Sequence, residues 1–392
     1  MFSVDNFYDV LHQNLLLPLD IDGYTITETT GAFDSIFYKN FIKNMNVEPY
    51  DKLHLLFWDQ EPFNHDLYRT GLVKQHKAYL RYLKTNALAY SDICTEVFDT
   101  APRYNWYYFF HGLAALDWFR INFYHVNLKH TKFDKVFITL NRLVTQDRSY
   151  RLWLVADLLH HGLDKQGLIS CALQDNYGGT WKDELFNSKS YLSVDQRKLV
   201  YQEFSKLDSS LNLDYADTPG MASAKMSATQ TDLFQRAFVH VVTETVYYHN
   251  KLHLTEKIFR PITLFRPFIL AGCAGNLAYL KRYGFQTFDR WWDESYDTET
   301  DNERRLAMVT DIVKHLCSLS MPELNAMYDE MLPVLEYNQQ HFYGEFRKII
   351  VNEMLDNFVD MILLFNQDQG KTVYDFNQVN IDLLKLTWGR HT

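Results

Sequence analysis

Short apolar runs separated by longer polar or amphipathic stretches recur along the chain, the arrangement expected of buried strands alternating with helices. Residues 52–58 (KLHLLFW) read as a strand, broken by the polar turn Asp59-Gln60-Glu61-Pro62. A helix over 73–85 and a short strand at 87–90 follow, and 105–123 is an aromatic-rich helical or interfacial stretch. Residues 133–140 (FDKVFITL) form the clearest strand of the middle region; they run into Asn141-Arg142 and then a helix over 148–161. Further strands are predicted at 168–173, 237–243 (AFVHVVT) and 266–271 (RPFILA), with a helix over 255–264. The polar stretch 187–226 predicts a helix and a loop. Beyond Arg304 the pattern is helical, with a long amphipathic stretch over 340–365 and a return segment from Gln367.

These elements predict an α/β chain of two Rossmann-like units. Residues 1–130 form the first, 131–339 the second, and a helix and tail over 340–392 return to the first. At 47% hydrophobic and 16% aromatic the chain can fill two cores, and most of its 26 Tyr and 28 Phe belong there rather than along sugar subsites. A formal net charge of -10 disfavours generic polyanion binding, which depends on neutralising phosphates. Cys94, Cys171, Cys273 and Cys317 stand far apart, in neither a zinc spacing nor a secreted disulfide framework. No window of about 18–20 residues is uninterruptedly apolar. The first residues lack a basic segment ahead of an apolar one, so a cytoplasmic protein without a membrane span is expected.

The densest chemistry lies in FVHVVTETVYYHNKLHLTEKIFRPITLFRPFILAG, residues 238–272. A strand ends at Thr243-Glu244, a polar loop follows, and the next helix opens with Thr255-Glu256-Lys257. In open parallel sheets ligands bind outside the carboxyl ends of the strands. Thr255 suits the N-cap, and the free N–H groups of a helix start attract phosphate. Lys257 adds a full charge there, and Glu256 or Glu244 suits the two hydroxyls of a ribose. The bland alternative makes Glu256 a favourable first-turn acid and Lys257 a solvated surface charge.

This string closely resembles the donor-site motif of α1,3-fucosyltransferase-like glycosyltransferases: a strand ending in a Glu-bearing turn, a T-E-K helix start, then an apolar strand holding a Pro and ending at Gly. The resemblance implies that Glu244, Glu256 and Lys257 bind the donor. Residues 136–159 (VFITLNRLVTQDRSYRLWLVADLL) resemble the family's opening of the donor domain, with Asn141 and Arg142 ending the strand and Arg148 and Arg151 near the helix start. A guanidinium clamps a diphosphate with its planar fork; which Arg does so stays open, and ion pairs of Arg148 and Arg151 with Asp147 and Asp157 are the alternative. Residues 53–66 (LHLLFWDQEPFNHD) resemble the family's base-bearing turn, giving Glu61 as catalytic base and Asp59 as reserve, against a plain turn.

The resemblance further implies the two-domain GT-B architecture and inverting transfer without metal from a nucleotide sugar, GDP-sugars favoured, to a glycan or other hydroxyl acceptor. Animal members carry a membrane anchor and lumenal disulfides, so a bacterial or viral cytoplasmic member is the better match. One rival reading takes a hydroxylated base in DNA as acceptor, with a basic groove at Lys74, Lys77, Arg81 and Lys84; the other is a non-catalytic nucleotide-sugar-binding protein. Metal readings are weaker. His240, His249 and His253 lack accompanying carboxylates, Asp293, Glu294 and Asp297 read better as a solvated loop, and Asp20-Ile-Asp22 lies close to the N-terminus. Dehydrogenase, kinase and zincin signatures are missing.

Overall fold

Strands covered on both faces need apolar residues at every position rather than at alternate ones, and the runs in the second half of the chain meet that need. A computed structural model describes the strands 24–27, 54–57 and 87–89, and residues 109–123, 133–174, 178–209, 211, 231–248, 252–353 and 356. The chain divides into two units, residues 1–117 with 347–392, and residues 118–346. In the first unit β1 (Tyr24–Thr27), β2 (His54–Phe57) and β3 (Ala87–Ala89) form a parallel sheet in that order. The strand expected at 52–58 is thus present as β2. Asp59, Glu61, the helix expected over 73–85, the basic residues Lys74, Lys77, Arg81 and Lys84, Asp20-Ile-Asp22 and the segment from Gln367 lie outside the described residues.

Helix α1 (Phe110–Phe123) leads into the second unit. There β4 (Lys135–Asn141), β5 (Gly167–Cys171), β6 (Ala237–Thr243) and β7 (Phe268–Ala271) form a four-stranded sheet, order β5-β4-β6-β7, parallel throughout. Every residue of β5, β6 and β7 is buried. Opposite Phe137 in the register stands Gly167, where a Cβ would lie 2.2 Å from the Phe137 ring; only glycine leaves room for that ring.

Helix α2 (Tyr150–His160) connects β4 to β5, and α6 (Glu256–Thr263) connects β6 to β7. The two connections run in opposite directions across the sheet, so right-handed crossovers put α2 and α6 on opposite faces. Between β5 and β6 come α3 (Trp181–Phe186), α4 (Val194–Phe204) and α5 (Thr231–Arg236). After β7 come α7 (Asn276–Arg282), α8 (Asn302–Ser318) and α9 (Met321–His341). Helix α2 packs on α4 and α8, and α6 packs on α9. The described part of the long helix expected over 340–365 is helical: α9 starts at Met321, capped by Ser320, the chain widens into a π-turn over Phe342–Phe346, and α-helix resumes over 347–353. No helix among the described residues is long and apolar enough to cross a membrane.

Candidate functional site

Strand order reverses between β4 and β6, and the carboxyl edge of the sheet at such a switch point is where ligands bind in open α/β folds. The floor of this edge is built from side chains that bond the backbone. Asn141, fully buried, donates from Nδ2 to Ser170 O and Thr139 Oγ1 (3.2 Å each) and accepts from Thr243 Oγ1 (2.9 Å), tying β4 to β5 and β6. Arg151, in the first turn of α2, points inward at 3% exposure. It donates to Leu143 O (2.8 Å), Thr243 O (2.9 Å) and Glu244 O (2.8 Å). The surface pair with Asp157 does not form; Asp157 meets Lys314 and His161 instead (3.5 Å each). Arg142 and Arg148 sit half-buried in the β4–α2 connection.

A second guanidinium, which the sequence reading passed over, fixes the far end of the β6 exit loop. Arg305 on α8 donates to Gly272 O (3.0 Å), Tyr247 O (2.7 Å) and Glu299 O (2.8 Å), and lies 4.4 Å from the centre of the Tyr247 ring. Tyr247 stacks on Tyr150 with centroids 4.1 Å apart, and the Tyr150 hydroxyl donates to Glu244 O at 2.6 Å. Burial pushes the Tyr150 phenol up to about 12, so it stays protonated and remains a donor. Residues 243–247 are therefore held at both ends, by Arg151 and by Arg305.

The held loop carries Glu244, whose carboxylate is fully buried. It accepts the backbone N–H of Thr255 at 3.1 Å on one oxygen and the Thr255 hydroxyl on the other. Thr255 is the N-cap of α6, with extended backbone, and its oxygen accepts from Lys257 N. Glu244 is thus the anchor of that cap. The Lys257 ammonium folds back over the helix start, donating to Thr255 Oγ1 (3.0 Å) and Thr245 Oγ1 (3.1 Å), with Glu256 Oε1 at 3.3 Å. Its side chain is 26% exposed, against 8% for Glu256.

Of the eight donor-binding candidates, Glu244, Thr255, Glu256 and Lys257 come together at the α6 N-terminus, while Asn141 and Arg151 are built into the floor. Asn276 completes the support: its amide bonds both His253 N (3.1 Å) and His253 O (2.9 Å), fixing the approach to Thr255. The only signals for Asn276 and Arg305 in the sequence were an Asn after a glycine-bearing turn and an Arg within a helix. Asp293 is exposed, as the solvated-loop expectation has it, while Glu294 and Asp297 correct that expectation. Glu294 accepts from Thr287 Oγ1 (2.6 Å) and Phe288 N (2.8 Å), and burial raises its pKa. Asp297 takes the Leu277 N–H (2.8 Å) and the Ala278 N–H (3.0 Å), capping α7 with a carboxylate whose pKa burial also raises. The start of α7 is thereby occupied by the protein's own anion. Among the described residues no group of three or more His, Cys, Asp and Glu could hold a metal ion. No protein-family model matches the chain, and no curated protein matches it.

Proposed function

We propose that the chain binds a nucleotide sugar at the carboxyl edge of this sheet and transfers the sugar to an acceptor hydroxyl, with inversion, without metal, and with GDP-sugars as favoured donors. One observation carries the reading: the partly exposed Lys257 ammonium is held by Thr245 and Thr255 at the start of α6, on the carboxyl edge of the sheet where strand order reverses between β4 and β6. A helix N-terminus and a cation together favour a diphosphate. Its buried supports, Glu244, Arg151 and Arg305, set that charge in place before a ligand arrives. The fucosyltransferase-like string over 238–272 supports the same assignment.

In the transfer the acceptor oxygen forms its bond to the anomeric carbon as the nucleoside diphosphate leaves with the electron pair of the broken bond. Lys257 and the α6 N–H groups stabilise the charge that grows on the departing phosphate. A carboxylate takes the acceptor's proton; the resemblance assigns this to Glu61, with Asp59 as reserve. The test is release of nucleoside diphosphate from GDP- and UDP-sugars with glycan and hydroxylated-DNA acceptors. Glu61→Gln is expected to lower kcat by about 10²–10⁴-fold and to leave nucleotide affinity within about threefold. Binding without any release would make the chain a nucleotide-sugar-binding protein; normal turnover in both Glu61→Gln and Asp59→Asn would remove the base assignment.

A further inference from the structure

Two non-glycine residues among those described hold a positive φ, Phe265 at 53° and Gln146 at 56°. A left-handed backbone is strained for a residue with a Cβ. For Phe265 the side chain offsets the cost, since it is buried at 4% exposure. Gln146 is exposed and packs nothing into a core. Glycine would take this backbone without strain, yet the chain places a long amide here.

The strained turn is held deliberately. Gln146 N–H donates to Glu184 Oε2 at 2.8 Å, and Gln146 O accepts from Ser149 N at 2.9 Å. Glu184 lies on α3, 2% exposed. That helix is itself fixed by a capping box between Thr180 and Asp183. Burying a carboxylate is costly unless its bonds repay it, and here one of those bonds holds the strained backbone of an exposed residue. The turn belongs to the β4–α2 connection, whose Leu143 O meets Arg151 and whose Ser149 Oγ lies 3.1 Å from the Tyr248 hydroxyl of the β6 exit loop. Gln146 therefore stands on the same carboxyl edge of the sheet as Lys257, in the connection leaving β4 where Lys257 follows the one leaving β6.

We infer that Gln146 is a specificity-determining residue of the donor site, its amide bonding uncharged polar groups of the donor, the hydroxyls or the base edge, rather than its phosphates. This rests on the nucleotide-sugar reading above. An amide supplies one acceptor and two donors and no charge, which suits recognition of hydroxyl or base groups and adds little to diphosphate binding. Strain borne by an exposed side chain is the usual cost of such a contact.

Calorimetric titration of wild type, Gln146→Gly and Gln146→Asn with GDP, UDP, their sugar conjugates and inorganic pyrophosphate tests this, with melting temperature measured alongside. Gln146→Gly should melt no lower than wild type, bind the nucleotide sugar about tenfold more weakly, and bind pyrophosphate equally well. Gln146→Asn, which tolerates the left-handed backbone and keeps an amide, should retain part of the affinity. Loss already seen with GDP assigns the nucleoside, and loss confined to the conjugate assigns the sugar hydroxyls; either supports the inference. Equal binding of every ligand by wild type and Gln146→Gly would overturn it and leave the donor site standing. A matched loss for pyrophosphate would also overturn it. A wild type that binds none of these ligands would remove the donor site and this contact with it.

Discussion

His240 lies in the middle of β6, buried, with its ring edge-on to Phe234 at 5.1 Å and no hydrogen-bond partner at Nδ1. Desolvation, and then the nearby Arg260 charge, lower its pKa to about 3. In the unfolded chain the imidazole protonates near pH 6.5. The folded pKa is depressed, so stability is fully present above pH 6.5 and falls as pH drops toward 3, by up to about 1.4 kcal/mol per unit. Urea unfolding at pH 7, 6 and 5 should show wild type losing that much more per unit than His240→Leu below 6.5; equal slopes would mean that the folded protein accepts the proton. The metal reading of His240 fails here on position, because its strand faces are packed. Residue types were legible in the sequence, but side-chain directions were not. Arg151 looks like a phosphate clamp by its place in the chain, and it turns inward because the carbonyls of Thr243 and Glu244, over ninety residues later, await a donor.

At the scale of elements, the β7–α7 junction shows how support reaches the site. A Cβ on Gly272 would stand 2.7 Å from Asn276 Nδ2, the atom that bonds His253 O. Gly272→Ala must therefore displace Asn276 and loosen the segment leading to Thr255. We expect about 1–3 kcal/mol of destabilisation in denaturant titration, together with weaker nucleotide binding; unchanged values for both would show that Asn276 does not hold the cap in place. Strands such as β6 were legible because burial on both faces writes a continuous apolar run, and the bounds 237–243 coincide with those observed. The strand expected from Arg266 begins only at Phe268. Arg266 is instead buried at 1% exposure and donates to Phe234 O (2.7 Å) and Tyr328 Oη (2.9 Å), contacts that no local pattern encodes.

For the whole molecule, the alternation of apolar runs and amphipathic stretches was enough to anticipate an α/β chain with a parallel, doubly wound sheet in its second half, and the order β5-β4-β6-β7 has that form. The donor side of the proposal draws on this sheet, while its catalytic side draws on Glu61 and Asp59, outside the described residues. The central claim is that Lys257 and the start of α6 receive a nucleoside diphosphate, and it is tested most directly by unfolding wild type and Lys257→Ala in EDTA with and without GDP. At a hundredfold excess over Kd the account predicts about 2.7 kcal/mol of added stability for wild type and little for Lys257→Ala. Equal stabilisation of the two proteins, or stabilisation that vanishes in EDTA and returns with Mn²⁺, would contradict it.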